Sequence, residues 1–222
     1  MKYRAVIVGA SGLVGHHLLE LLLQNDSFVE IRSFSRKKIG VSHPKLQQFE
    51  VDFEQFDQYS ELFQGDVAFC CVGTTIKIAG SKEKFRSVDY EIPCKMAQMA
   101  VKNRIGSFIV ISSLGASSKS SNFYLKTKGQ MQDFIGGLDI SRKVFIHPSL
   151  LLGERPEYRT GERIGEIVLR ALGFLLIGSL KKYKAIHATE VAKAMVMISL
   201  DLNMKGIIQS DKLKKLAYGY KA

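Results

Sequence analysis

The chain has no tryptophan, only three cysteines and only four prolines among its 222 residues. Cys70 and Cys71 are adjacent in an apolar run, and neighbours in a strand point to opposite faces, so they cannot easily form a disulfide with each other. The third cysteine, Cys94, belongs to a helical stretch. No Cys-x-x-Cys or Cys/His spacing is present, so we expect reduced thiols and no bound metal. With few prolines, no repeat and no low-complexity segment, nothing in the sequence separates two domains.

Long apolar runs are also lacking. The most apolar stretch, residues 171–180, is too short to cross a bilayer, which needs about 20 residues. No secretory signal is evident at Met1, because an apolar strand pattern begins almost at once. Together with reduced thiols, these features predict a cytoplasmic protein without a membrane span.

Acidic residues are in the minority, and the net charge is +11. A basic chain can bind nucleic acid, an acidic membrane surface or an anionic ligand. The basic runs, at residues 36–38, 181–184 and 212–215, are short and separated by structured segments. We interpret most of this charge as solvated surface. Because no basic-aromatic interleaving or nucleic-acid motif is present, we do not expect nucleic acid to be a partner.

Three glycines organise the start of the chain. Residues 3–8 form an apolar, β-branched run, and a helical pattern follows the glycines, so the spacing Gly9, Gly12, Gly15 matches the G-x-x-G-x-x-G variant of the dinucleotide fingerprint. In that motif the glycines permit a tight turn, a close approach of backbone to pyrophosphate, and close packing of helix on strand. The phosphates would lie at the helix N-terminus. A purely structural turn is the alternative. The predicted cofactor-binding residues here are Gly9, Ser11, Gly12, Leu13, Val14 and Gly15.

Strand and helix patterns alternate along the rest of the chain. Strands are predicted at residues 28–34, 46–51, 67–72, 107–112 and 143–147, with helices at 56–63, 82–101 and from about 121. This alternation predicts an α/β fold, a Rossmann-type doubly wound parallel sheet. We expect one domain over residues 1–222. Residues from about 150 to 222, with helices near 162–174 and 188–201, would form a small C-terminal lobe on the substrate side.

The end of the second strand bears on the choice of dinucleotide. NAD sites usually place a carboxylate about 20 residues after the glycine turn. This chain instead has Ser35, Arg36 and Lys37 there, and Arg36 could pair with a 2′-phosphate and stack on adenine. The pattern favours NADP(H) over NAD(H), with a ligand-free basic loop as the alternative. Asp52, after the third strand, could accept from the adenine amino group or could cap a helix.

Tyr124 and Lys128 are four residues apart on a predicted helix, so they share a face. The ammonium would stabilise the phenolate of Tyr124, which could then act as a general acid or base. This pair follows Ser112 and Ser113 at the end of the fifth strand, where a serine can hydrogen-bond a substrate oxygen. A Tyr-x-x-x-Lys spacing alone is common on protein surfaces, so the position of the pair carries the prediction.

These features resemble the short-chain dehydrogenases/reductases of the atypical group. DFEQFDQYSELFQGDVAFCCVGTT, RSVDY, ISSLGASSKSSNFYLKTKG and HPSLLLGERPEYRTGE together resemble the Tat-interacting protein family of NADPH-binding, oxidoreductase-like proteins, over residues 6 to about 194. The chain departs from the expected pattern with His147 and Ser149, where Arg and Gly would stand, and this would alter the nicotinamide pocket. The resemblance implies catalytic Ser113, Tyr124 and Lys128, the latter two also touching the cofactor, and further cofactor contacts from Val72, Gly73, Thr74, Pro148 and Leu150.

Two functions remain open at this point. The first is an NADPH-dependent oxidoreductase that acts on an unknown carbonyl or alcohol substrate through its Ser/Tyr/Lys set. The second is a cofactor-bound regulatory module that binds a protein partner and turns over little or nothing. The sequence is compatible with a monomer or a homodimer, and it does not name the substrate.

Overall fold

A computed structural model describes residues 1–153 and 178–220 of the chain. Its strands are β1 (Tyr3–Val8), β2 (Phe28–Ser35), β3 (Leu46–Glu50), β4 (Val67–Cys70), β5 (Ser107–Ile111), β6 (Arg142–His147), β7 (Leu151–Leu152), β8 (Ile186–His187) and β9 (Gly206–Gln209). Seven of them form one parallel sheet in the order β3-β2-β1-β4-β5-β6-β9, and β7 pairs with β8 separately. The strand order reverses between β1 and β4, which is where such sheets bind ligands.

Helices cover both faces of the sheet. They are α1 (Leu13–Gln24), α2 (Ile76–Ala79), α3 (Lys82–Arg86), α4 (Ile92–Lys102), α5 (Phe123–Gly136), α6 (Ala188–Leu200) and α7 (Ser210–Tyr218). Two 3₁₀ segments, Phe56–Leu62 and Gly178–Tyr183, and a π-helical turn, Ser87–Glu91, complete the described elements. The predicted fold class, a Rossmann-type doubly wound sheet, is confirmed.

The central strand β1 illustrates why both faces need helices. Ala5 and Ile7 belong to the core beneath α1 and α6, whereas Val6 and Val8 belong to the core on the opposite face. All four side chains are fully buried. Residues 5–8 of this strand are therefore apolar on both faces, so the sequence does not show which side chains point to which face.

The sequence patterns missed the seventh strand of the sheet. β9 pairs in parallel with β6, with Gly206 opposite Val144. β9 is a short strand at the edge of the sheet. Its first residue, Gly206, has a positive φ of 78°, and Ile207 is 54% exposed. A strand this short shows neither an alternating pattern nor a long apolar run in the sequence. Part of the segment assigned to a small lobe therefore extends the main sheet. The role of residues 150–222 as a substrate-side lobe stays a prediction, and the helix expected near 162–174 lies outside the described residues.

The long helix predicted over residues 82–101 contains a widened turn. α3 runs directly into the π-helical turn Ser87–Glu91, which runs directly into α4. Pro93, the second residue of α4, has no N–H to donate to the carbonyl of Asp89 four residues earlier. A wide turn is a known way for a helix to accommodate such a defect. This turn carries Asp89 into the protein interior, where it is fully buried.

Buried Arg142 ties the sheet to the end of α6. Its guanidinium donates to the carbonyl oxygens of Ile198 at 2.8 Å, Asp201 at 3.1 Å and Met204 at 3.2 Å. Its Nε also donates to Ser107 Oγ at 2.9 Å. The final carbonyls of a helix lack partners within the helix, so one planar side chain here satisfies several groups at once.

Two glycines of α5 provide a test of this packing. A Cβ at Gly129 would overlap the backbone of Ser117 and Ser118, whereas one at Gly136 would meet nothing within 4 Å. We expect Gly129→Ala to lower the free energy of unfolding by about 1–3 kcal/mol, the usual cost of overpacking. Gly136→Ala, on the same helix, should raise it by up to about 1 kcal/mol. Urea unfolding measures both, and equal stability of the two variants would contradict the tight approach of α5.

Candidate cofactor site and active site

The glycine turn is built by close contacts between the ends of β1, β4 and α1. Gly9 has a φ of 90°, and a Cβ there would lie 2.7 Å from the backbone carbonyl carbon of Cys71. A Cβ at Gly15 would overlap the carbonyl oxygen of Gly9. The N–H of Gly12 donates to that same oxygen at 3.0 Å, which closes the turn. Glycine is therefore required on steric grounds at the first and third positions of the motif.

The N-terminus of α1 offers free donors. Gly12 is its N-cap and supplies no side-chain hydrogen bond, and the first turn has no acidic residue. The first N–H groups of a helix lack partners within the helix and lie at the positive end of its dipole. A turn with glycine at its first and last positions, followed by a helix without a side-chain cap, fits the pyrophosphate of a dinucleotide. Ser11 is exposed beside this turn.

A pocket opens at the carboxyl ends of β1, β4 and β5. It joins the start of α1, the loop after β4, the end of β5 and one face of α5. Its lining is Leu13, Val14, Cys71, Val72, Gly73, Thr74, Asp89, Ile111, Ser112, Tyr124, Lys128 and Leu151. The structure thus brings together the glycine-turn helix, the loop at Val72–Thr74 and the Tyr/Lys pair, which the sequence had predicted separately.

A buried ion pair lies at the base of this pocket. Lys128 Nζ is 2.8 Å from Asp89 Oδ1, and both side chains are almost entirely buried. Burial would lower the pKa of Lys128, but the negative charge of Asp89, with smaller contributions from Tyr124 and Cys70, outweighs it, so the pKa is raised. The ammonium is therefore charged at neutral pH.

Asp89 was missed as a site residue. The available signal was an acidic residue within an apolar stripe, because Phe85, Ile92 and Met96 follow helical spacing around it and all are buried. An ionisable residue in a buried stripe needs a partner of opposite charge. Only the fold reveals that its partner is Lys128, on another helix.

Two neighbouring serines differ in their surroundings. Ser112 lines the pocket, and its Oγ accepts a hydrogen bond from Gln132 Nε2 at 2.6 Å. Ser113, the predicted catalytic serine, is half-buried, and its Oγ donates to the carbonyl of Leu114 at 3.4 Å. Ser113 is not among the residues that line this pocket in the described part of the chain. Its catalytic role stays a prediction, and Ser112 becomes a second candidate.

The residues predicted near the adenosine lie elsewhere along the carboxyl edge of the sheet. Ser35 ends β2 beside β1, and its Oγ donates to the carbonyl of Lys37 at 2.7 Å. Arg36 and Lys37 are exposed in the following loop. Asp52 Oδ1 accepts from the N–H of Glu54 at 2.9 Å, so this carboxylate caps a turn. Their cofactor contacts stay predictions.

The segment after β6 lines the pocket through Leu151, and its backbone is held by hydrogen bonds to neighbouring segments. The carbonyl of Pro148 accepts from Leu114 N–H at 3.0 Å, and that of Leu150 accepts from Ile186 N–H at 2.9 Å. Neither Pro148 nor Leu150 is among the described pocket-lining residues, whereas Leu151 is. Burial lowers the pKa of His147 to about 4, so this residue is neutral where an arginine would carry charge.

Comparison with known proteins shows which family the chain belongs to. A family model described as NAD(P)H-binding matches residues 9–141, which exceeds half of the chain, and the chain belongs to this family. Among named relatives it is similar to protein HTATIP2 of Rattus norvegicus, with 37% identity over 160 residues, covering 70% of this chain and 66% of that protein. It is also similar to the mitochondrial protein FMP52 of Meyerozyma guilliermondii, with 33% identity and 89% and 86% coverage. The expected resemblance to the Tat-interacting, atypical short-chain reductase group is confirmed.

Solved structures support the fold alone. The enzyme WbmH of Bordetella bronchiseptica in complex with NAD⁺ matches with a TM-score of 0.69 and 16% identity, over 93% of this chain and 75% of that one. A UDP-N-acetylglucosamine 4-epimerase from Methanobrevibacter ruminantium matches with a TM-score of 0.67 and 13% identity, over 97% and 81%. Identities this low transfer neither substrate nor reaction.

The cytoplasmic location expected from the sequence is wrong by this comparison. FMP52 proteins matched over most of their length, including that of Debaryomyces hansenii at 31% identity and 87% coverage, carry the name mitochondrial. The expectation rested on cysteine spacing and on the lack of long apolar runs, and neither feature distinguishes the cytoplasm from another compartment in which thiols stay reduced. Among the described residues, no helix has the length and apolar character to span a membrane.

The second glycine provides a test of cofactor binding. A Cβ at Gly12 would lie 3.2 Å from the Gly9 carbonyl oxygen, so valine could be placed with small shifts while filling the space before the helix N-terminus. We expect Gly12→Val to weaken NADPH binding at least tenfold, a loss of about 1.4 kcal/mol or more. Gly106→Val, where a Cβ meets nothing within 4 Å, is the control. Calorimetry measures the NADPH affinity of both variants. An unchanged affinity in Gly12→Val would show that the glycine turn is not part of the cofactor site.

Proposed function

We propose that this protein is an NADP(H)-dependent oxidoreductase that acts on a carbonyl or alcohol substrate. The observation that carries the proposal is the shared pocket, in which Tyr124 and Lys128 line the same space as the start of α1 and the loop after β4. A dinucleotide held by the glycine turn would extend past these two side chains. The bound cofactor would supply or accept the hydride.

Tyr124 would be the general acid or base. Its phenol would donate a proton to the substrate oxygen in reduction and accept one in oxidation. Lys128, one helical turn away, would keep a positive charge beside the phenol and hold the ribose hydroxyls. The ammonium suits this role because its pKa is raised and it remains charged at neutral pH.

A serine would orient the substrate oxygen next to Tyr124. The sequence resemblance favours Ser113. The contacts of Ser112 favour the other serine, because its Oγ accepts from Gln132 and its own proton is then free to donate toward the pocket. Alanine variants of each serine, assayed with the same substrate, decide between them.

We further propose that NADP(H) is preferred over NAD(H). The loop after β2 has no carboxylate to accept from a ribose 2′-hydroxyl, and exposed Arg36 and Lys37 can pair with a 2′-phosphate. The names of the FMP52 relatives support a mitochondrial location, which imaging or fractionation of the tagged full chain would test.

The cofactor preference is tested at Arg36. We expect Arg36→Ala to cost about 1.5–3 kcal/mol of NADPH binding, the scale of a charge-assisted hydrogen bond, and to leave NADH affinity nearly unchanged. Lys102→Ala removes one exposed positive charge at the end of α4 and serves as the charge-matched control. Cofactor fluorescence measures all affinities. Equal affinity of the parent protein for NADPH and NADH would contradict the preference.

Catalysis is tested at Tyr124. A panel of aldehydes, ketones and quinones is screened with NADPH, and variants are assayed on any substrate found. We expect Tyr124→Phe to lower kcat by about 10²–10⁴-fold, the usual contribution of one positioned acid, while NADPH affinity is retained. Tyr3→Phe removes a hydroxyl at the amino end of β1, away from the pocket at the carboxyl ends of the strands, and is the matched control. Turnover by Tyr124→Phe at the parental rate would refute this mechanism.

A further inference from the structure

The buried carboxylate of Asp89 joins two parts of the pocket that come from distant parts of the chain. It is fully buried in the π-helical turn Ser87–Glu91. One oxygen, Oδ1, lies 2.8 Å from Lys128 Nζ on α5. The other, Oδ2, accepts from the N–H of Thr74 at 2.8 Å, in the loop after β4. A single side chain thus contacts both the candidate catalytic lysine and the backbone predicted to follow the cofactor.

Two protein groups contact the ammonium of Lys128. An ammonium has three donors. One donates to the carbonyl oxygen of Ile111 at 3.4 Å, and the charged nitrogen also lies 2.8 Å from Asp89 Oδ1 in an ion pair. Lys128 also lines the pocket that it shares with Tyr124. The ion pair and the carbonyl of Ile111 therefore restrict the position of the ammonium at the base of this pocket.

We propose that Asp89 is a positioning residue that pairs with Lys128 and directs it at the cofactor ribose, so that cofactor binding depends on the charge of Asp89 and not only on its shape. This proposal rests on the proposed function, because it assumes that Lys128 touches the cofactor. Asp89 itself acts through Lys128 and through the loop at Thr74.

The pH range of binding follows from the groups that face Lys128. These are Asp89 from the π-helical turn, Tyr124 from α5 and Cys70 from β4. Burial raises the pKa of the Cys70 thiol to about 11, so it is neutral over most of the accessible range. Without the charge of Asp89, burial would lower the pKa of Lys128 with less opposition, and the ammonium would lose its proton at a lower pH.

Asp89→Asn separates charge from shape. Its amide oxygen can still accept from Thr74 N–H, while the negative charge beside Lys128 is gone. NADPH affinity is measured by cofactor fluorescence from pH 7 to 10, in parent, Asp89→Asn and Lys128→Met proteins. The measurements are repeated in Tyr124→Phe protein with and without Asp89→Asn. This comparison removes any contribution of the Tyr124 phenol to the pH dependence of NADPH binding.

The expected result is a shifted alkaline limit of binding. In the parent protein, NADPH affinity should hold to higher pH, whereas in Asp89→Asn the loss should begin roughly one pH unit lower or more. Affinity at pH 8 should also fall roughly tenfold. Thr127→Val is the matched structural control, because Thr127 is buried on the same helix and its hydroxyl donates to the Phe123 carbonyl, away from the pair. This control should bind with the parental pH profile.

The outcomes distinguish the two proposals. If Lys128→Met binds NADPH as the parent does, the proposed contact of Lys128 with the cofactor is wrong, and the inference about Asp89 fails with it. If Lys128→Met binds NADPH more weakly than the parent but Asp89→Asn keeps the parental affinity and pH profile, only the inference about Asp89 fails. A parental pH profile in Thr127→Val together with a shifted profile in Asp89→Asn supports the inference about Asp89.

A doubly neutral variant covers the case in which Asp89→Asn does not fold because an ammonium is left unpaired. Asp89→Asn combined with Lys128→Met carries no buried charge at this position. If Asp89 acts through Lys128, this double variant should bind NADPH within about twofold of Lys128→Met alone, since such coupled effects are not additive. A further loss of tenfold or more in the double variant would show that Asp89 acts independently of Lys128, and would overturn the proposal.

Discussion

The rest of the structure depends on the close approach of α1 to the carboxyl ends of β1 and β4. Gly9 and Gly15 permit it, since a Cβ at either position would collide with neighbouring backbone. The approach places the uncapped N-terminus of α1 beside the loop that follows β4, at the reversal of strand order. Once that geometry is set, the crossovers to β5 and α5 bring Tyr124 and Lys128 to the same edge. Steric exclusion at two glycines thus determines where the site can form.

The second constraint is electrostatic. Asp89 and Lys128 are both nearly inaccessible to solvent, and their charges are separated by 2.8 Å. Removing one partner of such a buried pair typically costs about 3–5 kcal/mol, a large part of the stability of an ordinary domain. Replacing both with apolar groups often costs much less, so stability alone does not explain charges here. A role for this pair in binding is consistent with its position at the base of the pocket.

The sequence predicted those parts of the molecule that follow local rules. The glycine spacing, the apolar strands and the Tyr124–Lys128 pair all depend on residues close together in the chain, and the sheet was anticipated through β6. β9 was missed because a short edge strand with an exposed isoleucine has no pattern of its own. Asp89 was missed because its partner is 39 positions away on another helix, a relation that helical periodicity does not encode. The surroundings of Ser112 and Ser113 likewise depend on how α5 packs on β5.

The contacts of Arg142 connect β6 to a part of the chain about 60 residues further on, at the end of α6. The match to the family model ends at residue 141, one position before this arginine. Its guanidinium is buried against carbonyls of Ile198, Asp201 and Met204, in the segment that leads from α6 to β9. A fragment ending near the last matched residue would lack the apolar helix that covers α1, and one ending just after β6 would leave this cation without these three carbonyl acceptors. Burial of this cation therefore makes the end of β6 depend on chain well past the region that the family model matches.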